Sequence, residues 1–132
     1  MTTGVIVFAH GSRIESANQA VRAVAASLAR CGGPFEQVEA AFLELGQPDL
    51  AGAVERLADH GIQRIVVVPY FLTLGLHMER DLPRLVEDVR VRHPGVDLSI
   101  TPPLDGHEAL VQALLDRAKA ALVRSARPPD GA

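Results

Sequence analysis

Three side chains in this 132-residue sequence stand out for the chemistry they can do together: His10, Glu44 and His77. A neutral imidazole offers one free nitrogen lone pair, which can ligate a borderline divalent metal or accept a proton near neutral pH. Two imidazoles and a carboxylate at one crevice can bind cobalt, nickel, iron or zinc, with water or a substrate completing the coordination. So incomplete a set suits a metal that is passed on, and suits a closed structural site poorly. Cys31 is the only cysteine, which excludes both an internal disulfide and a cysteine-based zinc site. The other histidines have plainer surroundings. His60 precedes Gly61, His93 precedes Pro94 and His107 follows Gly106, the pattern of solvated turns, although His107 can also line a cleft rim. Glu44, between Leu43 and Leu45, has a plain alternative as the ion-pair partner of a nearby arginine. Arg80, Arg84, Arg90 and Arg92 read as a solvated helix face, whereas Arg13 stands close to His10.

His10 and His77 lie far apart in sequence, so the fold must bring them together. Val5-Ile6-Val7-Phe8 is a continuous apolar run entering His10-Gly11-Ser12, the signature of a buried strand. Val21, Val24, Ala25 and Leu28 then recur at helical spacing over residues 15–30, and Cys31-Gly32-Gly33-Pro34 stops that helix. Val38 to Leu43 reads as a second strand of more mixed polarity, nearer an edge. Gln47-Pro48-Asp49 opens a helix carrying Leu50, Val54 and Leu57, with Pro48 placed in its first turn. Ile65 to Pro69 is the most β-prone segment and is expected at the centre of the sheet. A loop over Phe71–Gly75 leads to a helix with Leu82, Leu85, Val86 and Val89 on one face and Pro83 near its start. Val96 to Ile100 is a short fourth strand. A last helix over residues 107–124 is expected to turn Leu110, Leu114, Leu115, Ala118 and Leu122 inward.

Four strand–helix units in series imply an α/β fold: a flavodoxin-like, three-layer domain with a four-stranded parallel sheet of order 2-1-3-4 and helices on both faces. Ligands of such sheets bind beyond the carboxyl ends of the strands, where the strand order reverses. That point lies between the first and third strands, which run into His10 and His77 and should lie roughly 5 Å apart. Residues 1–124 form one domain on this reading, and 125–132, rich in proline and glycine, a disordered tail.

The bulk composition narrows the function classes. Hydrophobic residues make up 48% and charged residues 22%, an ordinary globular balance. Net charge is −3 with the signs intermixed, so no basic run points to nucleic acid or to an anionic membrane surface. No stretch approaches the roughly 18 apolar residues of a membrane-spanning helix. The N-terminus lacks the basic region of a secretory signal, and the single cysteine fits a reducing cytoplasm.

Three segments carry a family resemblance: Val7-Phe8-Ala9-His10-Gly11-Ser12-Arg13, Ala41-Phe42-Leu43-Glu44-Leu45-Gly46-Gln47-Pro48, and Pro69 through Pro83 with His77 at its centre. In this order and spacing they resemble the signature blocks of the sirohydrochlorin chelatases, class II tetrapyrrole chelatases, over about residues 4–124. The length is similar to the family's short, single-domain form. The resemblance implies insertion of a divalent metal into sirohydrochlorin, with Co2+ favoured and Fe2+ or Ni2+ as alternatives, in cobalamin, siroheme or related tetrapyrrole synthesis. It implies His10 and His77 as metal ligands and proton acceptors, with Glu44 positioning metal or relaying protons. Ser12 and Arg13 would hold carboxylates of the ring's rim, and Phe71, Leu72 and Leu76 would face the ring. No organic cofactor is implied, because the metal is a substrate, and the short form is expected to work as a homodimer.

Two other readings compete. The strand-His-Gly pattern superficially resembles the histidine phosphatases, but that chemistry requires an arginine directly before the histidine, and Ala9 occupies the place. A non-catalytic metal or tetrapyrrole carrier would use the same histidines. Turnover separates it from an enzyme, since a carrier shows only stoichiometric uptake.

Overall fold

The apolar run that enters His10 becomes the strand β1 (Thr3–Ala9), and from Gly4 to Ala9 every residue of it is buried. A strand apolar on both faces needs neighbours on both edges and cover above and below. In the computed structural model, which describes residues 2–125, β1 has both. It pairs in parallel with β2 (Gln37–Phe42) on one side and β3 (Arg64–Pro69) on the other, and β3 pairs with β4 (Asp97–Ile100). The strand order is 2-1-3-4, as the β-α alternation predicts, with β2 at an edge. The expected tail lies outside the described residues from 126 onward; Ser125 ends the last helix.

The helices are α1 (Glu15–Arg30), α2 (Leu50–Asp59), α3 (Leu76–Arg92) and α4 (Glu108–Ser125). Ile6, Phe8, Ile65, Val67 and Leu98 point to one sheet face, where Leu50, Val54 and Leu57 of α2 and Leu82, Val86 and Val89 of α3 close the main core. Alternate strand residues Val7, Ala9, Ala40 and Phe42 point the other way and meet Val21, Ala25 and Leu28 of α1. Each fully buried Leu, Ile, Val or Phe contributes on the order of 1.5–3 kcal/mol. These two clusters therefore hold the sheet that carries the site.

Three expectations need correction. Pro48 does not enter α2: Asp49 is the N-cap, its carboxylate accepting from the Gly52 N–H at 2.8 Å, while the Pro48 carbonyl accepts from the Phe42 N–H. A side-chain acceptor for the orphan first-turn N–H decides the boundary here. Pro83 lies well inside α3, which begins at Leu76, about two turns earlier than the leucine stripe suggests. Its missing N–H deprives only the Glu79 carbonyl, early in the helix, and its exposed position lets water reach that group. The stripe on α4 does not face inward. Leu114, Leu115 and Leu122 are exposed, because α4 leaves the sheet and makes no extensive packing against it among the described residues.

Candidate functional site

β1 ends at Ala9 in the middle of the sheet, and the chain must turn away at once. Gly11 makes that turn with φ +94°, a left-handed conformation that side chains resist. A Cβ there would lie 1.7 Å from the Glu44 carbonyl oxygen, so only glycine allows the two loops to approach so closely. Backbone bonds exploit the approach: Leu43 N–H donates to Ala9 O at 2.9 Å, and Glu44 N–H to His10 O at 3.2 Å. The sheet ladder thus continues one step beyond the strands, and it sets the two side chains beside each other. His10 Nδ1 lies 4.0 Å from Glu44 Oε1.

Beneath this pair is a side chain that the sequence motifs do not single out. Asn18, on the inner side of α1, is 1% exposed. Its Oδ1 accepts from Ser12 N–H at 2.9 Å, and its Nδ2 donates to Ser12 O at 2.9 Å and Leu45 O at 2.8 Å. One amide therefore ties the turn after His10 to the loop holding Glu44. Arg22 braces the same loop, donating to Glu15 at 2.7 Å and to Gln47 O at 3.0 Å, with its guanidinium 5.1 Å above the Phe42 ring. The hydrogen bond from Arg22, then that from Asn18, holds the Glu15 carboxyl below its ordinary value. The signal for Asn18 was in the sequence: Asn18, Val21, Ala25 and Leu28 follow helical spacing, so a polar residue occupies the buried stripe.

Phe71 forms the third wall. It packs edge-on to Phe8 in the core, with centroids 6.4 Å apart, and edge-on to His10 at 6.3 Å. Tyr70 N–H donates to Phe8 O at 2.7 Å, which anchors the loop after β3 to β1. Leu72 and Leu76 are exposed, and His77 follows as the second residue of α3, also exposed. Ser12 Oγ accepts from Ile14 N–H at 3.0 Å, leaving its hydroxyl proton for a ligand, and Arg13 is exposed.

The structure brings His10, Glu44 and Phe71 together and places His77 in the first turn of α3, at the end of the loop after the neighbouring strand β3. His10 and Glu44 are 57% and 59% exposed, so the site is an open shelf. Among the described residues no group of three or more His, Cys, Asp or Glu is close enough to hold a metal ion. Two of the other histidines have structural partners for their rings. His60 Nδ1 lies 2.7 Å from Arg56 O at the end of α2, and His107 Nδ1 accepts from Ala109 N–H at the start of α4. Arg90 is not part of a solvated face, for it reaches the Leu98 carbonyl at 2.9 Å and ties α3 to β4.

The CbiX family profile matches residues 4–121, nearly all of the described chain. The chain belongs to the CbiX family. The Sirohydrochlorin cobaltochelatase of Sulfurisphaera tokodaii is 32% identical over 94% of this chain and 98% of its own length. Among solved structures, the putative cobalamin biosynthesis CbiX protein of Marinobacter aquaeolei VT8 matches with TM-score 0.82 and 29% identity, over 92% of this chain and 98% of the other. The sirohydrochlorin chelatase SirB of Bacillus subtilis subspecies spizizenii, in complex with cobalt, matches with TM-score 0.80 and 28% identity over 91% of this chain. The match spans 51% of that longer chain. The resemblance carried by the three sequence blocks and the α/β fold of order 2-1-3-4 are both borne out.

Proposed function

We propose that this CbiX-family chain is a sirohydrochlorin chelatase that inserts a divalent metal, Co2+ in preference to Fe2+ or Ni2+, into the free macrocycle. The name of the Sulfurisphaera relative supports that metal, while solved SirB chains hold either cobalt or Fe3+. The observation that carries the reading is the His10–Glu44 pair, 4.0 Å apart beyond the carboxyl ends of β1 and β2, with His10 on the side of β1 where the strand order reverses and His77 in the first turn of α3, after the neighbouring β3.

Insertion must strip water from M2+ and remove two pyrrole N–H protons, so that a dianionic macrocycle receives a dication and charge balances. His10 and His77 supply lone pairs for both tasks: each ligates the arriving metal or accepts a pyrrole proton. Glu44 accepts a proton from His10 or steadies the imidazolium that forms, a contact that gains strength only while His10 is charged. Leu72 and Leu76, with the half-buried Phe71, offer an apolar bed for the flat ring. The Ser12 hydroxyl and the exposed Arg13 guanidinium, in the turn after His10, are the donors this reading assigns to the carboxylate-rich rim. An open shelf covers one face of a planar substrate, and a second copy across a two-fold axis would cover the other. The working form on this reading is a cytoplasmic homodimer.

Anaerobic mixing of the protein with sirohydrochlorin and Co2+, Fe2+ or Ni2+, followed by absorbance, tests the reading. Multiple turnovers, fastest with Co2+, are expected. Uptake that stops at one metal per site, with no metallated product released, would make the protein a carrier instead.

A further inference from the structure

The loop after β2 carries a strained residue that the chemistry described so far does not use. Leu45 has φ +58°, the one positive φ at a non-glycine position among the described residues. A leucine in the left-handed region costs energy and persists there only where its surroundings impose it. Here they do. Before it, the Glu44 N–H donates to His10 O at 3.2 Å. After it, Gly46 is pressed so close to Phe42 and Asn18 that a Cβ would lie 2.9 Å from the ring and 3.1 Å from the amide. The Leu45 carbonyl itself accepts from Asn18 Nδ2 at 2.8 Å. The side chain gains little in return: it is 51% exposed and belongs to neither hydrophobic cluster. Glycine or asparagine adopts this backbone at lower cost, and either would serve a plain surface turn better.

A flat macrocycle accounts for an apolar side chain at this point. Its pyrrole nitrogens must come within reach of His10, so the ring extends to both sides of that residue. The strand order fixes what each side offers. Phe71, Leu72 and Leu76 all follow β3, on one side of His10. β2 lies on the other side, and two strands that flank a third are roughly 10 Å apart, the scale of a four-ring macrocycle. In the loop after β2, Leu43 packs against the main core, and Leu45 is the large apolar side chain left exposed, next to Glu44.

We propose that Leu45 is a ring-contacting residue: it carries the apolar bed across His10 to the β2 side, and the strained turn holds it there. The proposal rests on the chelatase reading above and adds a second wall for the same substrate. The strain is then the cost of presenting an apolar group beside the Glu44 carboxylate, where a turn residue of lower strain would offer the ring no surface.

Binding of metal-free sirohydrochlorin to the full chain, followed by absorbance under anaerobic conditions, tests the contact apart from insertion. Leu45→Gly and Leu45→Asn both accept the left-handed backbone, so neither should lower Tm by more than a few degrees. Each should bind the macrocycle at least about fivefold more weakly, as expected when a leucine buried in the complex is removed. Leu45→Met, apolar and of similar volume, should bind within about twofold of the parent. In turnover the loss should appear as a raised KM for sirohydrochlorin. A Leu45→Asn protein that binds as tightly as the parent would overturn the contact and leave the chelatase reading standing. If kcat falls while affinity is unchanged, Leu45 serves only to hold Glu44, and the contact is again overturned. A Leu45→Asn chain that shifts from dimer to monomer in light scattering would place the side chain between copies instead of on the ring. A parent that does not bind sirohydrochlorin would remove the chelatase reading and the contact together.

Discussion

Replacing Asn18 with alanine should cost stability and activity together, for one geometric reason. The amide makes three good hydrogen bonds, to Ser12 N–H, Ser12 O and Leu45 O, at 2.8–2.9 Å, and is itself almost wholly buried. Each such bond is worth about 1 kcal/mol net, and part of the loss is recovered because Ser12 and Leu45 can reach water. The expected destabilisation is about 2–3 kcal/mol. For a domain of this size that lowers Tm by roughly 8–15 °C. Asn18→Asp keeps the acceptor for Ser12 N–H but turns a carboxylate toward two carbonyls and toward Glu15, so at pH 7 it should be at least as damaging. Loosening the tie between the His10 turn and the Glu44 loop should lower kcat for metal insertion about tenfold or more at a temperature where the variant is folded, since small misplacements of reacting groups are costly. Thermal denaturation by circular dichroism and steady-state insertion measure the two effects. An Asn18→Ala protein within 2 °C of the parent, with unchanged kcat, would refute the idea that this amide holds the site together.

His10→Ala and His77→Ala should each lower insertion at least about 100-fold without loss of fold, and Glu44→Gln less; near-parental turnover in either histidine variant would end the two-histidine mechanism. Gly11→Ala should be far more harmful than an ordinary glycine replacement, because its Cβ meets the Glu44 carbonyl in a left-handed turn; a Tm within a few degrees of the parent would show that the loops can separate freely. Metal uptake measured without tetrapyrrole should weaken as pH falls, since proton and metal compete for the same imidazole nitrogens; affinity that does not change on acidification would point away from histidine. Glu15 is held below its ordinary value of 4.5, so its contribution is complete above that pH and disappears as the solution is acidified through the lower, folded-state value. Glu15→Gln should therefore show a shallower loss of Tm between about pH 5 and 3 than the parent, and identical slopes would remove the Arg22–Glu15 contact from the account.

The order of the sheet was legible because each strand is short, β-branched and followed by an amphipathic segment, which leaves few right-handed arrangements open. Placing His10 and Glu44 on one edge followed directly from that order. Boundaries were harder. Pro48 and Pro83 both read as helix-start signals, yet Asp49 caps α2 through its own side chain and α3 simply tolerates its proline at an exposed position. The stripe on α4 does not face inward for a different reason: helical spacing of leucines shows that one face is apolar but not whether its own sheet covers it. Asn18 was missed because motif reading favours residues that can touch a substrate, and this one works through backbone groups on two loops that only the fold brings together.

The open shelf and the buried tie beneath it serve one task. A site that gathered three or four strong ligands around the metal would bind it firmly and would have to give up that binding energy to the macrocycle at every turnover. On the proposed reading the ligating groups stand apart, His10 and Glu44 in the turns after β1 and β2 and His77 in the first turn of α3, exposed to water that can complete the coordination of an arriving ion. On the mechanism proposed above, what must not vary is the position from which His10 presents its lone pair, because metal and proton would exchange at that atom. Gly11 and Asn18 fix the backbone that carries His10, through close approach and hydrogen bonds that do not touch the imidazole. Rigidity is placed in the peptide groups, and the weak coordination proposed here in the side chains above them. A protein that must hold a metal long enough to deliver it, and no longer, needs both.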